Sequence, residues 1–341
     1  MPMPRHDEGP PSADSRWNAI VARYRQPITR RGVWQVVNTA GPLMLLWLAM
    51  YFGLRLSYAL TLALAVPTAF FLVRLFIIQH DCGHGAFFKS QRLNDALGSA
   101  IGVLTLTPYA YWRKTHALHH AGSGNLEHRG FGDIATLTVA EYRALSWWGR
   151  VRYRAYRHPA VLFLIGPVWQ FVLWHRLPAI VPRTWRRERL SIVRNDIALA
   201  VLVTAMTLAV GWKAFLLVQL PVSLLAGSVG VWLFYVQHQF EDTYWEHDER
   251  WAFVDAGLKG SSYYRLPRLL QWATGNIGLH HIHHLSSRIP NYRLQEAFDE
   301  NPDLQRVTTL TLWESIRCVR LALWDEAERR LVTFREARRR R

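Results

Sequence analysis

The residues best equipped to do chemistry in this chain are histidines. His80 and His84 frame Asp81, Cys82 and Gly83, and His116, His119 and His120 add offsets of three and four. His280, His283 and His284 repeat those offsets. On a helix, residues three and four apart share a face, so each cluster aims two or three imidazoles at one point. Neutral imidazole suits iron, zinc, copper and nickel. These eight histidines overfill one ion, since structural zinc takes four ligands, and suit two.

Four apolar stretches are placed to carry the clusters: about 33–54, 57–79, 196–212 and 214–237. Each approaches the ~20 residues that a spanning helix needs. They form two tight hairpins whose turns hold Arg55 and Lys213. The stretch 96–111 is short and meets Pro108, and 160–181 is broken by Pro167, His175, Arg176 and Pro178; both read as interfacial segments. Arg74, near the end of the second span, is expected to snorkel to water on the His80 side. The expected organisation is an arm over 1–32, flexible or interfacial, a membrane domain over 33–325, and a basic tail over 326–341.

Lys and Arg number 41 against 25 Asp and Glu, a net charge of +16. No nucleic-acid recognition motif accompanies that charge, which lies beside apolar spans, so lipid contact and the positive-inside rule explain it. The arginine-rich regions are the arm, 112–158, 183–194 and the C-terminal region; the rule makes them cytoplasmic, with all three clusters on their side. Cys82 and Cys318 are too few for a disulfide framework or a cysteine-ligated site. Met1 to Ser15 lacks the apolar core of a signal peptide. No dinucleotide fingerprint or haem-attachment motif is present.

His80-Asp-Cys-Gly-His84 followed by Gly85, then His-x-x-His-His twice, resembles the membrane-bound fatty acid desaturase family over roughly 33–300. The short first box and the stretch Phe234-Tyr-Val-Gln-His-Gln-Phe-Glu241 resemble its Δ12/ω-6 branch. The resemblance implies an all-α integral membrane protein, in which four transmembrane helices carry a cytoplasmic helical cap. The cap would hold a histidine-rich di-iron site with dioxygen as co-substrate. The implied ligands are His80, His84, His116, His119, His120, His280, His283 and His284, with His238 as the ninth. His281 falls off the shared face and is left out.

The implied reaction inserts a cis double bond into a fatty acyl chain, on a monounsaturated, lipid-linked substrate. Electrons would come from a separate ferredoxin- or cytochrome-type donor and its reductase, and a bacterial inner membrane is the expected location. Asp81 reads equally as a residue orienting a ligand imidazole and as a solvated or helix-capping acid. His128, Asp133 and His247 read as ordinary polar residues, and the tryptophans as interface belts and packing. Rival readings are a related hydroxylase or ketolase acting on a fatty acid or carotenoid, a zinc-binding receptor or hydrolase, and a transporter.

Overall fold

The computed structural model describes residues 13–130 and 132–339. Four of its helices are long and apolar enough to cross a membrane. After α1 (Ala13–Ala22) come α2 (Thr29–Gly53) and α3 (Tyr58–Gly83), an antiparallel pair in which Ser57 caps α3 by accepting from the Ala59 N–H. α4 (Gln91–Leu104) and α5 (Tyr109–Gly122) follow, with Pro108 at the start of α5. Proline there loses no helical hydrogen bond.

β1 (Leu137–Thr138), α6 (Val139–Ala144) and α7 (Trp147–Tyr156) lead to an irregular stretch from Val161 to Ile180. That stretch is π-helical and then 3-10, as its prolines suggest. The second long pair is α8 (Arg186–Val210) and α9 (Trp212–His238), joined at Gly211, whose φ of +84° suits glycine.

The rest of the chain builds the cap. It contains α10 (Phe253–Lys259), β2 (Tyr263–Arg265), α11 (Arg268–Ala273), α12 (His280–Leu285) and α13 (Asn291–Glu300). Then come β3 (Thr309–Thr311), α14 (Leu312–Cys318), β4 (Leu321–Asp325), β5 (Arg330–Thr333) and α15 (Phe334–Arg339).

α3 is the central span and the most buried of the four. It packs against α2, α4 and α9. α8 is the most exposed span, and Ile197, Val201 and Leu208 on it face outward, as do Leu45 on α2 and Leu220 on α9. An apolar belt of that extent on a bundle's outside is a lipid-facing surface.

The four long helices lie over the four apolar stretches, and the third begins at Arg186 and not near 196. Its first turns are polar yet packed: Ile192 is buried with Tyr111, Val181 and the partly buried Trp185. The fold is mainly helical, but not wholly. β1, β4 and β5 form a three-stranded sheet, and β2 pairs with β3 in parallel. These strands are too short to announce themselves in the sequence, and each closes a cap loop by backbone pairing.

Both ends also differ from expectation. Of the arm over 1–32, residues 1–12 lie outside the described residues, but 13–32 are folded, and Val21 and Tyr24 are buried against Leu279, Ile282 and Leu294. Tyr24 also donates to Glu300 at 2.6 Å. The expected tail over 326–341 is likewise structural through residue 339. Leu331 and Val332 are fully buried, and β5 pairs with β4. Arg74 is buried and does not snorkel outward. It donates to Thr39 Oγ1 at 3.1 Å and to the Trp272 carbonyl, and stacks 4.1 Å from the Trp272 ring. The cap helix α11 covers the place where the arginine would have met solvent.

Candidate metal centre

The histidines come from five places: the C-terminal ends of α3 and α9, the C-terminal half of α5, α12, and the residue just after α3. Their ring nitrogens converge in two groups. His80, His84, His116, His120 and His283 form one, and His119, His238 and His284 the other, with ligand atoms within 4.8 Å of one another in each. His280 joins the second group, its Nε2 lying 3.0 Å from His238 Nε2. Further Nε2 pairs are His116–His120 at 3.2 Å, His120–His283 at 3.0 Å and His119–His238 at 3.2 Å.

The spacing is informative. Two nitrogens bound at about 2.1 Å to one ion, at right angles, lie about 3 Å apart. Among the ring nitrogens buried without a hydrogen-bond partner in the described residues are His84 Nε2 and His284 Nε2. Buried polar atoms are normally paired, and a metal ion is the partner that imidazole nitrogens crowded this closely would accept. Burial, and then the neighbouring imidazoles, push the His84, His116, His120, His280, His283 and His284 side chains well below the ordinary histidine pKa. They are therefore neutral near pH 7, the form that binds metal.

Several rings are aimed from behind. His80 Nδ1 donates to Asp81 Oδ1 at 3.0 Å. The other oxygen of Asp81 accepts from the Asn291 backbone N–H at 2.6 Å and from its Nδ2 at 2.8 Å. Gln35 of α2 in turn donates to Asn291 Oδ1 at 2.8 Å, tying the first box to span and cap alike. His238 Nδ1 donates to the Gly260 carbonyl at 3.0 Å, and His119 Nδ1 to Asp133. In each case the bonded Nδ1 carries the hydrogen, leaving the Nε2 lone pair for the centre.

On the bilayer side, an aromatic residue precedes a histidine by one helical turn in three places. Phe76 comes before His80, Trp112 before His116 and Phe234 before His238. Trp112 stacks on His116 at 4.5 Å and meets Phe76 edge-on at 5.5 Å, while Phe234 lies 5.1 Å from His119. These rings give the centre an apolar floor.

Of the two sequence readings of Asp81, the orienting one agrees with this geometry, and the reading of Asp133 as an ordinary polar residue does not. Asp133 sits in a loop between Gly130 and Ile134, and only the positive-φ glycines Gly130 and Gly132 mark its turn. Trp112, one of the tryptophans expected in interface belts and packing, here stacks on His116, and the i−4 spacing of all three rings from the boxes is visible in the sequence. His281 stays out of the cluster: it is buried and donates from Nε2 to the Leu304 carbonyl at 2.9 Å. His128 and His247 are at the cap surface, paired with Asp248 and with Glu127 and Glu326. Cys82 is a buried core residue.

Four membrane-length helices that carry at one end a buried set of histidines able to hold metal define a class of membrane protein. Comparison with known proteins narrows it. The fatty acid desaturase family model matches residues 55–314. The chain is 49% identical over 315 residues to a fatty acid desaturase of Bacillus subtilis, covering 92% of this chain and 89% of that one. It is 30% identical over 308 residues to an sn-1 acyl-lipid omega-3 desaturase (ferredoxin) of Synechocystis sp., covering 87% and 82%. An sn-1 oleoyl-lipid 12-desaturase of Anabaena variabilis is 26% identical over 249 residues, covering 67% and 64%. The chain belongs to the fatty acid desaturase family and is a desaturase enzyme.

Proposed function

We propose that this enzyme uses two iron ions and dioxygen to insert a cis double bond into a lipid-linked fatty acyl chain, at the Δ12/ω-6 position. The observation that carries the metal assignment is the convergence of nine histidines in two adjacent groups. His80, His84, His116, His120 and His283 would hold one ion, and His119, His238, His280 and His284 the other. A closed four-ligand zinc site does not use that many donors. Such a centre supplies the oxidising power to take two hydrogens from neighbouring methylenes, with dioxygen and two electrons and two protons from a donor ending as two waters.

The chain's own residues do the rest. The imidazoles present neutral lone pairs, Asp81 and the Gly260 carbonyl fix the tautomers behind two of them, and Phe76, Trp112 and Phe234 make an apolar boundary toward the spans. An acyl chain lying against that boundary would bring one carbon pair to the centre, a gain from proximity and orientation. Membrane-embedded acyl lipid fits the exposed apolar belt as the substrate source.

The acyl-lipid desaturase names of the cyanobacterial relatives support a lipid-linked substrate, and the ferredoxin in one supports a separate carrier as electron donor. The bond position rests on the Asp-Cys-Gly first box and on 12-desaturase relatives at 26% and 27% identity. An omega-3 relative at 30% supports a bond nearer the methyl end. The arginine distribution supports cytoplasmic termini and histidine boxes in a bacterial inner membrane.

The test is the fatty-acid profile of cells expressing the chain with a competent donor and oleate-containing lipid, beside a His283→Ala control, with double bonds located by mass spectrometry. A dienoic acid with a new Δ12 bond in the wild type alone is the expected result. A bond elsewhere overturns the position and keeps the desaturase. A hydroxylated product moves the chain to the related hydroxylases, and purified protein holding zinc instead of iron sinks the di-iron reading.

A further inference from the structure

The loop after α5 is built in unusual detail for a surface connection. Arg129 donates to the Leu126 and Thr136 carbonyls at 2.6 and 2.8 Å and pairs with Glu141, so it pins both ends of the segment. Arg157 donates to the Ala135 carbonyl at 3.1 Å and to Gln239 Oε1 at 2.8 Å, joining this loop to the residue that follows His238. Gly132, with φ of +70°, lets the backbone pass close over His119, where an added Cβ would lie 3.6 Å from the His119 Cβ. The side chain so presented is Asp133, whose carboxylate accepts from His119 Nδ1.

The two groups of histidines are backed differently. Behind His80, Asp81 is sealed, its side chain 2% exposed and its second oxygen filled by Asn291. Behind His119, Asp133 is 13% exposed and lines a small pocket with Ser123, Thr243 and Tyr244. That pocket also reaches His119 and His238, two members of the second group.

We infer that Asp133 is the positioning residue of the second metal position: by holding the hydrogen of His119 on Nδ1, it keeps Nε2 directed at the ion shared with His238, His280 and His284. The inference rests on the proposed two-ion reading. Among the described residues the Asp133 carboxylate hydrogen-bonds to His119 and to no ligand of the five-histidine position, so its loss acts on one ion and not on both.

The experiment starts from purified, iron-loaded full-length protein in detergent, challenged with graded concentrations of an iron chelator and followed by bound iron and thermal midpoint. Loss of an orienting partner behind a ligand typically lowers metal affinity by about 10- to 100-fold. Asp133→Ala is expected to release one iron equivalent at about 10- to 100-fold lower chelator concentration, or to be purified without it, while the other is held as in the wild type. Asp133→Asn, which keeps an accepting oxygen without the charge, is expected to fall between the two. His119→Ala should lose the same equivalent. Wild-type iron retention by Asp133→Ala overturns the inference. So does parallel loss of both equivalents with a lowered thermal midpoint, which is the signature of a merely structural loop contact. A wild type that binds no iron overturns the two-ion reading and this inference with it.

Discussion

Replacing Arg157 by methionine is expected to weaken the whole junction between α9 and the cap, although Arg157 touches no histidine of the centre. The guanidinium is buried, 4% exposed. It donates to the Ala135 carbonyl at 3.1 Å, to Gln239 Oε1 at 2.8 Å and to the Leu321 carbonyl at 2.8 Å. Longer contacts reach Tyr235 Oη at 3.3 Å and Thr136 Oγ1 at 3.4 Å. One side chain thus joins the end of α9, the Asp133 loop and the start of β4.

Hydrogen bonds to a charged group contribute about 1.5–3 kcal/mol each, so the short bonds sum to roughly 5–9 kcal/mol gross. Methionine refills much of the volume, and removing the charge also removes its burial cost. The Ala135 and Leu321 carbonyls and Gln239 Oε1 lose this donor at about 1–3 kcal/mol each, and relief of the charge's burial cost offsets part of that, so the net loss should be ~3–5 kcal/mol. With an unfolding entropy of about 2.1 cal/mol/K per residue over 341 residues, that is about 4–7 °C of thermal midpoint. The assay is detergent-solubilised protein heated and analysed by fluorescence-detected size exclusion, with bound iron measured alongside. Arg157→Lys, keeping the charge but not the fork, should fall between. If Arg157→Met melts within about 2 °C of wild type, these bonds are not what joins α9 to the cap, and the reasoning fails.

Gly98→Ala should destabilise by about 1–3 kcal/mol, because its Cβ would stand 2.3 Å from the Tyr109 ring. Tyr109 donates to the Cys82 carbonyl within the first box at 2.8 Å; a lower midpoint with weaker iron retention is the expected reading, and an unchanged protein refutes it. His281→Gln should keep full iron content and desaturation while His283→Ala loses both, because His281 bonds the Leu304 carbonyl and lies outside both histidine groups; loss of iron in the glutamine variant would place His281 in the centre. His247, between Glu127 at 2.6 Å and Glu326 at 3.0 Å, has a pKa raised by those hydrogen bonds. Its contribution is therefore complete below about pH 6.5 and lost as pH rises through the raised value. The midpoint difference between wild type and His247→Gln should be largest near pH 6, shrink at alkaline pH and weaken with salt, since the pair is exposed; a difference that grows with pH refutes the pairing.

The sequence alone determined most of what the centre is made of. Offsets of three and four reveal which imidazoles share a face, because helical periodicity is local, and apolar run length reveals the spans. Even the exclusion of His281 was readable from its place within α12. Other features depended on contacts distant in the chain. Nothing local marks Val21 and Tyr24 as buried, since their partners Leu279 and Leu294 lie more than 250 residues on. Leu331 likewise lies in a charged stretch and is buried only because β5 finds β4.

Arg74 looked free to snorkel until α11 came to lie over it. Asp133, in a loop with no periodicity, gained its meaning only when glycine turns and two arginines brought it to His119. Local spacing fixes which side chains can act together, because the helix repeats every few residues. Which buried polar groups find partners is decided by tertiary closure, because those partners are supplied by segments that the sequence keeps far apart.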